Sequence, residues 1–313
     1  MKKVLITDGV HPSLKIGLEA MGYHCDYDPE IPLEKVRQIV GNYEGLIINS
    51  KILVDQQMLD AATALRFVGR LGSGLEIIDL AYAAEKGVAI LNSPEGNRNA
   101  VAEHALGMLL ALNNKFLQSD REVRANVWER EKNRGREIMG STVGIIGFGH
   151  TGSSFAQKLL GMGVRILAFD KYKSNYTANF PFVEAVGQET LCQEADIISF
   201  HLPLTEETYH LVDTSFIQAC KEGVILLNTS RGKVVKTADL LVALQTGQVA
   251  GACLDVFENE RPTTFSAEET ALYAALHEQP NVILSPHVAG WTVESKRRLA
   301  EVLLEKIKIS LSA

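Results

Sequence analysis

Thr142-Val-Gly-Ile-Ile-Gly147-Phe-Gly149-His150-Thr151-Gly152 decides the fold, because a β-branched apolar run passes directly into glycines spaced G-x-G-x-x-G and then into a helical segment, residues 153–160. Gly147 permits a tight turn, Gly149 lets the backbone approach a pyrophosphate, and Gly152 lets helix and strand pack closely. His150 and Thr151 lie in the same turn, where the N–H groups of a helix start attract phosphate. The next apolar run, 164–169, ends in Asp170, where such a fingerprint places a carboxylate to accept hydrogen bonds from ribose hydroxyls. That favours NAD over NADP, since a ribose phosphate would meet the charge of Asp170; Lys171 and Lys173 stand close enough to temper the repulsion.

Further apolar runs, at 4–6, 45–48, 67–69, 88–91, 143–146, 197–200, 224–227, 249–256 and 282–284, mostly alternate with amphipathic helical stretches. This rhythm indicates βαβ units, hence an α/β fold with parallel sheets covered on both faces. At 313 residues and 46% hydrophobic content the chain suits two domains. Residues 97–286 are expected to form a Rossmann-type, doubly wound, NAD-binding domain. Residues 1–96 and 287–313 are expected to form a discontinuous substrate domain, completed by the helical stretch 292–311 packing back on the first sheet. Residues 99–124 read as one long helix.

The net charge of -7 and the lack of a dense Lys/Arg run argue against nucleic acid and leave local cations to hold a small anionic substrate. Two lysines and a short apolar run at the start are too brief for a signal or a membrane span, so a cytoplasmic protein is expected. Cys25, Cys192, Cys220 and Cys253 are scattered without metal-ligand spacing; they are expected to be small buried hydrophobes, with no metal site.

Three chemical groups follow apolar strands in the second half: Arg231 in Asn228-Thr229-Ser230-Arg231-Gly232, Glu260 after Asp255-Val-Phe-Glu258-Asn, and His287 in Ser285-Pro-His287. Loops at strand C-termini face the ligand crevice of open α/β sheets, so the three could converge at one sheet edge. Arg231 can hold a carboxylate bidentately. Removing a hydride from a hydroxyl-bearing carbon also requires loss of the hydroxyl proton, which suits a histidine whose pKa and tautomer are set by a carboxylate. Singly, such an Arg is more often an ion-pair partner and such a His structural. Glu258 is an alternative partner for His287.

These segments, with Ser199-Phe-His201-Leu202-Pro203-Leu-Thr205 and Ser285-Pro-His287-Val-Ala-Gly290, resemble the D-isomer-specific 2-hydroxyacid dehydrogenases in the family's own order. The resemblance implies a flavodoxin-like substrate domain and catalysis by Arg231, Glu260 and His287. It implies cofactor contacts from Gly147, Gly149, His150, Thr151, Gly152, Asp170, His201, Leu202, Pro203, Thr229, Ser230, Asp255, His287 and Gly290, with Asp255 reading the nicotinamide carboxamide. It also implies that the loop Gly69-Arg70-Leu-Gly72-Ser73-Gly74 binds the substrate carboxylate near Ser73 and Gly74, with Asn97 close by. For His104 a packed helix histidine is expected.

Within the family the chain most resembles the D-3-phosphoglycerate branch, which makes 3-phosphohydroxypyruvate for serine synthesis; glyoxylate or hydroxypyruvate reduction is the alternative, and a dinucleotide-sensing corepressor-like binding protein the alternative of another class. Asn49-Ser50-Lys51 stands where that branch commonly carries Arg-Ser, so Asn49 and Lys51, or Arg130 and Arg134 of a partner subunit, are the candidates for phosphate. Glu260 is followed by Arg261-Pro262 where the family usually has Glu-Pro. A homodimer through residues 99–128 is expected, and no serine feedback through a further C-terminal domain.

Overall fold

The computed structural model describes residues 2–312. The chain divides into two compact units, Met1–Asn99 with Trp291–Ala313, and Ala100–Gly290. The sequence places the second cut before His287, whereas the structure keeps residues 287–290 with the second unit. The reason is local: the backbone N–H of His287 donates to the Asp255 carbonyl, and those of Val288 and Ala289 donate to the Asp255 carboxylate.

In the first unit, β1 (Lys3–Ile6), β2 (His24–Tyr27), β3 (Gly45–Ile48), β4 (Phe67–Arg70) and β5 (Ala89–Asn92) form a parallel sheet of order β2-β1-β3-β4-β5. This is the flavodoxin-like doubly wound order. Side chains alternate across β3: Leu46 and Ile48 pack in a core with Val36, Met58 and Val68, while Ile47 packs in the opposite one with Val4, Ile6 and Phe67. Both faces being covered explains the unbroken apolar run at 45–48. The helix Val293–Ser312 supplies Ala300, Leu303 and Ile307 to the second core, a spacing that keeps one helix face buried. Each such large aliphatic side chain contributes about 1.5–3 kcal/mol by leaving water.

The second unit carries β6 (Thr142–Ile146), β7 (Arg165–Phe169), β8 (Val183–Ala185), β9 (Ile197–Phe200), β10 (Val224–Asn228), β11 (Val249–Leu254) and β12 (Val282–Leu284). Their order is β12-β11-β10-β9-β6-β7-β8, with every pair parallel. The chain reverses its direction of travel between β6 and β9, the switch point at which such sheets bind dinucleotides. Register levels the loops there. Ile146 pairs with Phe200, Phe200 with Asn228, Asn228 with Leu254 and Leu254 with Leu284, so Gly147, His201, Thr229, Asp255 and Ser285 all leave the sheet at one height.

The stretch 99–124 is not one helix. Helix Pro94–Asn113 begins at a proline, a residue suited to a first turn, and a second helix, Phe116–Arg124, follows a left-handed Lys115 with φ 52°. Asn113-Asn114 precedes the break, and asparagine competes for backbone hydrogen bonds; Asn114 Nδ2 donates to the Leu110 carbonyl. Among the described residues no helix is long and apolar enough to cross a membrane, and all four cysteines are unbridged and buried.

Candidate active site

The glycine loop owes its shape to close backbone approaches. Gly147 has φ +89°, and a Cβ there would lie 2.4 Å from the His201 carbonyl oxygen; a Cβ on Gly152 would lie 2.1 Å from the Gly147 oxygen. Gly149, by contrast, has nothing nearer to such a Cβ than Lys173 Nζ at 3.9 Å, so its backbone is open to an approaching group. His150 starts the helix His150–Leu159, with Thr151 and Gly152 in its first turn. Asp170, at the end of β7, accepts from Phe148 N at 2.9 Å through one oxygen, and from Tyr172 N and Lys173 N at 3.1 Å through the other. Its carboxylate thus braces the loop.

His201 follows β9 and is buried; its Nε2 lies 2.9 Å from Ser199 Oγ, and burial pushes its pKa down to about 4, so the ring is neutral at pH 7. His201 Nδ1 and Thr229 Oγ1 are buried polar atoms with no hydrogen-bond partner among the described residues. Both leave the sheet beside the glycine loop, and buried orphans of this kind fit a polar ligand. Leu202 reaches the same turn, 3.0 Å from a Cβ built on Gly147, and the Pro203 carbonyl accepts from Thr208 Oγ1 at 2.7 Å.

After β10, Asn228 shapes the loop that carries Arg231. Its Oδ1 accepts from Ser230 N at 3.0 Å and Ser230 Oγ at 2.8 Å, and its Nδ2 donates to the Arg231 carbonyl at 2.9 Å. Gly232 is required because a Cβ there would lie 1.8 Å from the Phe257 oxygen. That contact presses the Arg231 loop against the Glu260 loop. Arg231, Lys233, Glu258, Glu260, Arg261 and His287 line one hollow.

Glu260 Oε2 accepts from His287 Nδ1 at 2.8 Å and its other oxygen accepts from Phe257 N at 3.3 Å. The Glu260 hydrogen bond raises the His287 pKa above the ordinary imidazole value, against burial and the Arg231 charge, which lower it. Burial opposes ionisation of Glu260, but the His287 hydrogen bond and charge, Phe257 N and Arg231 outweigh it and hold the carboxyl below its usual range. With Nδ1 committed to Glu260, Nε2 is the nitrogen left to exchange a proton. His287 itself sits at φ +56°, a left-handed position uncommon for a side-chain-bearing residue. Asp255, 1% exposed, holds that turn: its carboxylate accepts from Ser285 Oγ at 2.5 Å and from Val288 N and Ala289 N at 2.9 Å. Gly290 closes the unit.

The second unit therefore brings Arg231, Glu260 and His287 together and sets Asp255 beneath them. Glu258 instead pairs with His210, Nε2 to Oε2 2.5 Å. The remaining expected residues belong to the first unit. There Ser73 Oγ donates to Asn97 Oδ1 at 3.3 Å, and Asn92 Nδ2 holds the Ser73 carbonyl at 2.8 Å. Gly72, two residues before Gly74 in that loop, has φ +140° and leaves room for the Arg70 guanidinium. Asn49 N donates to Asp8 Oδ2 at 2.8 Å, and Lys51 Nζ donates to the Pro29 carbonyl. Sequence reasoning passed over Asn228 and Ser285 as site-shaping residues. Asn228 and Ser285 could have been flagged, since both stand at strand ends inside the quoted motifs.

Residues 106–289 match the model of the D-isomer specific 2-hydroxyacid dehydrogenase NAD binding domain. The chain belongs to the D-isomer-specific 2-hydroxyacid dehydrogenase family, a family of NAD-dependent oxidoreductases. It is 32% identical over 305 residues to the D-3-phosphoglycerate dehydrogenase of Archaeoglobus fulgidus, covering 97% of this chain and 56% of that one. It is 34% identical over 290 residues to the hydroxypyruvate reductase of Thermotoga maritima, covering 93% of this chain and 90% of that one. The chain thus spans about half the length of the phosphoglycerate dehydrogenase. Among solved structures, the D-lactate dehydrogenase of Aquifex aeolicus complexed with NAD and lactic acid superposes with TM-score 0.83 at 26% identity, over 99% of this chain and 96% of that one. NAD is the family's cofactor, and the open backbone at Gly149, the buried orphans at His201 and Thr229 and the helix start at His150 fit it.

Proposed function

We infer that the protein interconverts a D-2-hydroxy acid and its 2-keto acid, with D-3-phosphoglycerate and 3-phosphohydroxypyruvate as the substrate pair. The observation that carries the reaction class is the 2.8 Å His287–Glu260 pair sharing a hollow with Arg231. Bound NAD supplies the hydride acceptor. Gly147, Gly149, Gly152, His150 and Thr151 would hold its pyrophosphate side, Asp170 its ribose, and His201, Leu202, Pro203, Thr229, Ser230, Asp255 and Gly290 the rest. Arg231 holds the substrate carboxylate by paired N–H donors. His287 Nε2 takes the hydroxyl proton in oxidation and returns it in reduction. Glu260 stabilises the imidazolium so formed and fixes the ring's tautomer. Ser73, Gly74 and Asn97 are the proposed further contacts to the carboxylate, and Asn49 and Lys51 those to the phosphate.

Identity to phosphoglycerate dehydrogenases over nearly the whole chain supports the phosphorylated substrate. A second reading, reduction of hydroxypyruvate or glyoxylate, is favoured by the full-length likeness to a hydroxypyruvate reductase and by Lys51 Nζ being engaged on Pro29. NADH oxidation measured with phosphohydroxypyruvate, hydroxypyruvate and glyoxylate separates the two. The phosphorylated acid is expected to show the highest kcat/KM; a higher value for either unphosphorylated acid would replace it. A homodimer through the helix Phe116–Arg124 and the segment to Trp128 completes the proposal, supported by exposure of Phe116, Leu117, Val123 and Trp128. Light scattering is expected to give twice the chain mass.

A further inference from the structure

His104, on the helix Pro94–Asn113, is not merely packed. Its Nε2 lies 2.8 Å from Ser285 Oγ and 3.5 Å from Asp255 Oδ1. The hydrogens along this path can be counted. An ionised Asp255 only accepts, and the single Ser285 hydroxyl hydrogen goes to Asp255 Oδ1 at 2.5 Å, the Met108 sulfur being far weaker competition at 3.8 Å. Ser285 Oγ is therefore left as an acceptor, and His104 must donate through Nε2–H. The chain of donors runs His104 to Ser285 to Asp255, and Asp255 in turn holds the N–H groups of Val288 and Ala289 and, by its carbonyl, that of His287.

We propose that His104 is a positioning residue: by fixing the Ser285 hydroxyl on Asp255 it holds the 285–289 turn so that left-handed His287 meets Glu260. The inference rests on the reading of His287 as the proton-transfer group. A left-handed conformation of a residue with a side chain persists only where its surroundings over-determine it, and Asp255 is the centre of those surroundings. Without the Nε2–H donor, Ser285 Oγ can rotate off the carboxylate, and the buried Asp255 Oδ1 keeps only the Val288 N–H.

The test compares H104A, H104Q, S285A and the H104A/S285A pair, with H287A as reference, in steady-state NADH oxidation across pH and with the melting temperature of each. H104A is expected to lower kcat about tenfold, the kinetic equivalent of one or two lost hydrogen bonds. It should also move the alkaline limb of keto-acid reduction to lower pH, because a displaced His287 loses the Glu260 contact that raises its pKa; the other charges facing it, Asp255 and Arg231, stay in place. H104Q, whose amide can reach Ser285 as a donor, should recover most of the rate. The double variant should be no worse than the poorer single one, since both break the same path. Wild-type kcat and pH limb in H104A beside an inactive H287A, additive losses in the double variant, or H104Q as poor as H104A would each overturn the inference. Wild-type turnover in H287A would instead overturn the reading of His287 beneath it.

Discussion

Two histidine–glutamate pairs share one loop of the second unit, and they differ in the ring nitrogen engaged and in exposure. His287 pairs with Glu260 and His210 with Glu258, two positions apart, and both histidines are left-handed, at φ +56° and +52°. Glu258 is spent at both oxygens: Oε2 takes His210 Nε2 and Oε1 takes Thr237 N at 2.7 Å. His210 is further fixed by Tyr209 stacked at 4.1 Å and by its backbone N–H on the Lys233 carbonyl at 2.7 Å. That pair ties the strip at 209–212 to the Arg231 loop. His287 instead gives Nδ1 to its glutamate, and its side chain is 50% exposed against 25% for His210. A histidine beside a carboxylate is by itself no signature of catalysis, since the two pairs share that feature and differ in the ring nitrogen engaged and in side-chain exposure.

The largest effect that distinguishes the pairs is expected from H287A, which removes the proposed proton carrier. Turnover should fall by about 10²–10⁴-fold while NADH affinity, read by fluorescence titration, changes little. Retained turnover would dissolve the contrast. Next comes R231K, in the loop both pairs border. It replaces a bidentate fork by a point charge, and kcat/KM for the keto acid should drop roughly tenfold to a hundredfold, as for loss of a charge-assisted hydrogen bond. The smallest effect belongs to E258Q, where a neutral amide keeps one acceptor for Thr237 N. The melting temperature should fall by about 2–4 °C, the shift that about 1 kcal/mol gives in a domain of this size, with the pH profile of turnover unmoved.

Much of this is legible in the sequence. Strands buried on both faces announce themselves as unbroken apolar runs, as Gly45–Ile48 and Ile197–Phe200 do. The glycine fingerprint is legible because backbone contacts such as Gly152 against the Gly147 oxygen admit no side chain. Arg231, Glu260 and His287 could be placed at one edge because each follows a strand of a parallel sheet. The strands passed over, β2 and β8, are both edge strands; His-Cys-Asp-Tyr and Val-Glu-Ala each bury a single residue fully, so neither offers an apolar run. The helix break at Lys115 escaped because a left-handed residue leaves no periodic signal unless it is glycine. The choice between Glu258 and Glu260 is a matter of loop geometry, set by Gly232 pressed on Phe257, and residue spacing does not encode it. His104 lies 181 residues from Ser285, so only the folded chain joins them.

Glu260 raises the proton affinity of His287, while Glu258 is engaged on His210. On the proposed mechanism, reduction of the keto acid needs His287 protonated, so the rate is lost as pH rises through its pKa, which the Glu260 contact raises above the ordinary value. The pH dependence of kcat/KM for keto-acid reduction, measured side by side for the wild type, E260Q and E258Q, tests this directly. The alkaline limb is expected to move to lower pH in E260Q and to stay in place in E258Q; a limb that moves in E258Q, or stays put in E260Q, would contradict the account.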